Sequence, residues 1–93
     1  MDEPSALRAQ IALVDEARRA VAVADSGHAE ELLARYARTY PAGALAEDMA
    51  VLGVENATRS GQSALAKRRA TAFLAAFPLS SHAARMRVLK DQP

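Results

Sequence analysis

The chain comes close to repeating itself. The stretch from His28, HAEELLARYARTYPAGALAEDM, lies over the stretch from Leu65, LAKRRATAFLAAFPLSSHAARM, without a gap. Ala29 falls on Ala66, Tyr36 on Phe73, Tyr40 on Phe77, Pro41 on Pro78, Ala46 on Ala83 and Met49 on Met86. These are the positions a packed helical hairpin depends on: small contact residues, two aromatic anchors one turn apart and a proline stop. Repeats of this length imply stacked helix pairs, none able to bury its apolar face alone. A second marker recurs upstream, Ser26-Gly27 and Ser60-Gly61, 34 residues apart. Combined with the first, it implies that the second unit gains three residues between Gly61 and Phe73.

The spacing predicts five helices and no strand. Pro4 and Ser5 open the first, with Ser5 as N-cap. Its inward stripe is Leu7, Ile11, Val14, Arg18 and Val21, broadened by Leu13, Ala17, Ala20 and Ala24. It ends at Asp25-Ser26-Gly27, where Gly27 supplies the left-handed C′ residue. The second helix runs from about His28 to Tyr40 and is stopped by Pro41. The third runs from about Ala44 to Arg59 around Leu45, Met49 and Leu52, with Gly53 inside it for close packing. The fourth covers about Gln62 to Phe77, burying Ala66, Ala70, Phe73, Leu74 and Phe77. A fifth, capped by Ser80 or Ser81, reaches Lys90 with Ala83, Met86 and Leu89 inward and Arg85, Arg87 and Lys90 outward. The fold class is therefore all-α: two stacked antiparallel hairpins, about 5–41 and 42–78, and a capping helix at about 80–90, in one domain.

Charge narrows the partners. The net charge of +1 hides an asymmetry: residues 1–58 carry ten acidic and five basic groups, residues 59–93 seven basic and one acidic. A dipolar surface of this kind steers a partner or pairs molecules head to tail. Without cysteine, disulfides, thiolate metal sites and cysteine nucleophiles are excluded. No apolar run has the length to cross a bilayer, and the acidic start MDEPSALRAQ is unlike a signal peptide. The heavy use of Ala and Arg suggests a GC-rich bacterial genome.

At these spacings the residues resemble tetratricopeptide repeats. The second helix of each pair in that family carries a small residue, a larger one four on, a third at plus seven and a proline at plus twelve. Ala29, Leu33, Tyr36 and Pro41 keep that pattern, as do Ala66, Ala70, Phe73 and Pro78. The endings PAGALAE and PLSSHAA are similar to the bacterial branch found in envelope-assembly lipoproteins and cell-division coordinators, and to tails of membrane-bound anti-sigma factors. The first helices depart from the pattern, lacking its early aromatic and its tyrosine. The resemblance implies a short α-solenoid and a protein-interaction module, part of a larger envelope or regulatory protein, its concave side lined by first helices.

No constellation suits catalysis, and neither cofactor nor metal is expected. Asp15-Glu16, Glu30-Glu31 and Glu47-Asp48 are adjacent on helices, so their carboxylates diverge by about 100°. His28 reads as a surface residue at a helix start and His82 as a half-buried packing residue in the slot of Leu45. For a partner protein or peptide, the candidate contacts are Glu16, Arg19 and Val23 on the first helix and Asp48, Val51 and Glu55 on the third. The alternative is a homodimer through the first helix, where Leu7, Ile11, Val14 and Val21 approximate a heptad stripe. The basic patch Lys67, Arg68, Arg69, Arg85 and Arg87 is the best argument for nucleic acid, disfavoured because the overall charge is near neutral and no recognition-helix pattern appears.

Overall fold

The structure, a computed structural model, describes residues 3–93. Among them are five helices and no strand: α1 Glu3–Ala22, α2 Ser26–Thr39, α3 Ala46–Arg59, α4 Ser63–Ala76 and α5 Ala83–Lys90. The fold is all-α, as the spacing requires. Pro4 is accommodated in the first turn of α1, where no N–H is needed. Ser5 lies inside that helix rather than capping it. α1 pairs with α2, α3 with α4, and α5 packs on α4. The molecule measures 45 × 29 × 19 Å; 19 Å is about two helix diameters, so odd-numbered helices form one layer and even-numbered helices the other.

A single 37-residue register relates the two units throughout, and the expected three-residue gain is absent. α2 and α4 begin at Ser26 and Ser63, and α3 and α5 at Ala46 and Ala83. Equivalent hydrogen bonds recur: Tyr40 N–H to Tyr36 O at 2.8 Å and Phe77 N–H to Phe73 O at 2.7 Å, then Met49 N–H to Leu45 O at 3.0 Å and Met86 N–H to His82 O at 3.1 Å. The helix ends correct the Ser-Gly marker. α1 closes with Asp25 N–H on Ala20 O at 2.9 Å and Ala24 N–H on Val21 O at 3.1 Å. α3 closes with Gln62 N–H on Ala57 O at 2.9 Å and Gly61 N–H on Thr58 O at 3.2 Å. Both are Schellman closures, and their left-handed residues are Ala24 (φ 61°) and Gly61 (φ 77°). Gly27, expected to take that role, sits in the first turn of α2, whose N-cap is Asp25. The closing hydrogen bonds choose the position, and an alanine occupies it despite its Cβ.

Two clusters form the core. Val14, Ala17, Ala20, Val21, Ala29, Leu32, Tyr36, Met49 and Leu52 join α1, α2 and α3. Val54, Ala70, Phe73 and Met86 join α3, α4 and α5. The aromatic anchors stack in matching pairs, Tyr36 on Tyr40 with centroids 5.5 Å apart and Phe73 on Phe77 at 5.2 Å. Of the stripe expected on α1, Val14 and Val21 are buried, Arg18 is exposed, and Leu7 and Ile11 are 41% and 44% exposed. The inward face is turned toward Gln10, Ala17 and Ala20 instead, because small residues let α1 approach α2 closely. On the outer side of α1, Arg8, Ala12, Asp15 and Arg19 are exposed where α3 places Leu45, Met49, Leu52 and Asn56 against α2. That face of α1 is polar for want of a neighbour.

Candidate functional site

The stacking leaves a depression on each face. On the odd-helix face, α5 makes no close backbone approach to α3, and a cleft of about 400 Å³ opens between α1, α3 and α5. Its apolar floor includes Val21, Val51 and Leu52, and its charged rim Arg18, Asp48, Glu55, Arg59 and Arg85. Arg59 pairs with Glu55 at 3.6 Å within α3. Arg18 reaches Asp15 at 3.3 Å, an exposed contact worth little. The rim is thus of mixed charge, and these two ion pairs each lie within a single helix.

The structure brings three of the six candidate contacts together. Asp48, Val51 and Glu55 line the cleft, and Glu16, Arg19 and Val23 do not. Glu16 turns to α2 and meets His28 Nε2 at 2.9 Å. Arg19 is exposed on the outer face of α1, and Val23, 74% exposed, lies in the turn beyond it. The 37-residue register explains the mismatch: Glu16 and Arg19 correspond to Gly53 and Asn56, the α2-facing side of α3. Glu55 carried back through the same register gives Arg18, which does line the cleft, so the signal was present in the repeat itself.

The basic patch also breaks up. Arg69 is not available to a phosphate. Its guanidinium grips Glu30 through two bonds, Nη2 to Oε1 at 2.6 Å and Nη1 to Oε2 at 2.9 Å, and Nη1 also donates to Gly53 O at 2.8 Å. Asn56 Nδ2 donates to the same Glu30 oxygen at 2.7 Å. The Arg69 guanidinium foremost, helped by Asn56 against the opposing effect of burial, holds the Glu30 carboxyl below its ordinary value. Lys67, Arg68, Arg85 and Arg87 remain, split between α4 and α5, with Arg85 in the cleft. His28 is half-buried, with Glu31 at 3.6 Å as well as Glu16. His82 is half-buried and sets its edge against Phe73. Among the described residues no three of His, Cys, Asp and Glu are grouped to hold a metal ion.

Compared with protein-family models, curated proteins and solved structures, the chain finds no match.

The even-helix face is different in kind. α2 and α4 make no close backbone approach to each other. Between them runs a groove of about 600 Å³ whose floor is α3, through Met49, Ala50 and Gly53. Ala34 and Ala37 of α2 and Ala72 and Ala76 of α4 form its walls, with the rings of Tyr40 and Phe77 beside them. The Glu30–Arg69 pair crosses the gap. Gly53 was expected to admit a close helix, yet the nearest atoms to a Cβ built there, on Arg69 and Leu33, are 3.7–3.8 Å away. That is ordinary contact, so the glycine deepens the groove rather than relieving a clash. This groove escaped sequence reasoning because alanines on the outward face of a helix carry no periodic signal of their own.

Proposed function

We propose that this is a non-enzymatic protein-interaction module of tetratricopeptide-like type, taking a partner peptide in the cleft of the odd-numbered helices. The observation that supports it is the cleft itself, where an apolar floor at Val51 and Leu52 lies under a rim that offers both charge signs. A segment with apolar anchors and polar main chain suits such a surface, because the floor takes the anchors and the charged rim takes its polar groups. The resemblance of the second helices to tetratricopeptide repeats supports the same reading and favours a place within a larger bacterial envelope or regulatory protein.

The test is selection of peptides from a displayed library against the whole domain, followed by Val51→Glu and Glu55→Arg. Val51 is half-buried on the cleft floor and packs against the second core cluster, whereas Glu55 pairs only within its own helix, so Glu55→Arg is the variant that leaves the core intact. The selected peptides are expected to lose at least about tenfold in affinity, roughly 1.4 kcal/mol, with the circular-dichroism melting curve of Glu55→Arg little changed. Undiminished affinity in both variants would remove the cleft from consideration.

A further inference from the structure

We infer that the α2/α4 groove is a second binding surface, on the opposite face, and that its occupant is an amphipathic α-helix of a partner protein with acidic residues flanking its apolar ridge.

The hydrogen-bonding inventory of the groove selects the backbone state of the occupant. The walls and floor are helices, whose main-chain groups are already paired along their own axes. The polar side chains at the groove are committed as well. Glu30 and Arg69 satisfy each other, Asn56 and Gly53 O, and the Tyr36 hydroxyl donates to Gln10 Oε1 at 2.6 Å while accepting from Leu45 N–H at 3.0 Å. Among the described residues no buried side-chain polar atom lacks a partner. An extended peptide laid here would bury N–H and C=O groups with nothing to bond, at a cost of about 1–3 kcal/mol each. A helix arrives with its backbone satisfied and exchanges only apolar surface. Its size is admitted by the walls, since Ala34, Ala37, Ala72 and Ala76 project one methyl each.

The rim selects the charge. Arg38 stands one turn beyond Ala34 on α2, and Arg68 one turn before Ala72 on α4, so each residue sits next along its helix to a wall position without lining the groove itself. Both are exposed, and neither is in an ion pair among the described residues. Glu31, the acidic residue on the α2 rim, is turned toward His28 at 3.6 Å. A helix lowered into the groove would set its flanking side chains against Arg38 and Arg68, which favours Asp and Glu there.

The experiment is a selection from a displayed library of amphipathic helices about 18 residues long, or ~27 Å, against the intact domain. Acid-flanked helices should emerge. By fluorescence anisotropy their affinity should drop at least about tenfold in Ala37→Glu and in Ala76→Glu, exposed positions where glutamate is compatible with the helix. Arg38→Glu combined with Arg68→Glu should weaken them, flatten their salt dependence and shift preference to lysine-flanked helices. Glu55→Arg, in the opposite cleft, should leave them unaffected, so this surface and the cleft stand or fall separately. Failure to select any helix, selection of basic-flanked helices, or undiminished binding to Ala37→Glu would overturn the proposal.

Discussion

A hydroxyl group has changed owner between the two units. In the first, Tyr36 donates to Gln10 Oε1 at 2.6 Å and accepts from Leu45 N–H at 3.0 Å. In the second, the ring is Phe73, and Ser80 Oγ donates to Glu47 Oε2 at 2.7 Å and accepts from His82 N–H at 3.0 Å. Gln10 and Glu47, Leu45 and His82, Gly43 and Ser80 are all 37 residues apart. Gly43 is glycine because a Cβ there would run into the Tyr36 hydroxyl and come within 2.6 Å of Gln10 Oε1. Tyr36→Phe should therefore cost about 1–2 kcal/mol by stranding two polar groups, and Gly43→Ser alone should destabilise by overpacking. The double variant copies the second unit and should recover much of the loss. A denaturant double-mutant cycle measures it, and simple additivity of the two losses would refute the exchange. Ala24 offers a second residue-scale case. Its left-handed φ of 61° costs about 1–2 kcal/mol for a residue with a Cβ. Ala24→Gly, matching Gly61, should raise the midpoint of thermal unfolding by about 4 °C or more; an unchanged midpoint would count against strain there.

Between elements, Glu30 and Arg69 act as a strut joining α2 to α4 across the gap, and Asn56 of α3 braces it from below, its amide also donating to Ser26 O at 3.2 Å. Because the Glu30 carboxyl is held below its ordinary value in the folded chain, the unfolded chain takes up the proton first as pH falls. The stabilisation is complete above the ordinary glutamate value of about 4.3 and fades as pH drops through the lower folded value. Glu30→Gln should thus lower the melting temperature at pH 7 and progressively less below about pH 4. A melting-temperature difference that stays constant down to pH 3 would show that the charge of Glu30 contributes nothing. Arg69 is 28% exposed as a side chain, so solvent screens the pair only in part.

At the scale of the molecule, the odd and even layers present surfaces of opposite chemistry: a charged cleft on one side and an apolar groove on the other. Self-pairing through α1 has little left to use, because Val14 and Val21 of the heptad-like stripe are 4% and 2% exposed inside the chain's own core, leaving Leu7 and Ile11. Light scattering behind size exclusion should return a mass near 9.9 kDa across a concentration series. A stable dimer would mean that Leu7 and Ile11, or the α2/α4 groove, are closed by a second copy.

The helices and their repeat are written in the chain itself. Period, proline stops and aromatic anchors are local properties, written within one or two turns of chain, and they place four of the five helices to within about two residues. It also contained the true register, since the ungapped alignment from His28 holds across the whole fold, although the Ser-Gly doublets pointed to a different one. A doublet marks a turn only when the hydrogen bonds around it close a helix, and those closed at Ala24. Tertiary structure alone decided which face of α1 is buried, because Arg18 and Ala17 are adjacent in sequence and only packing against α2 separates them. It decided too that Arg69 is a strut rather than part of a basic patch, since its carboxylate lies 39 residues away in another unit. And it created the groove, which exists because α2 and α4 stand apart, a distance fixed by the side chains of α3 between them.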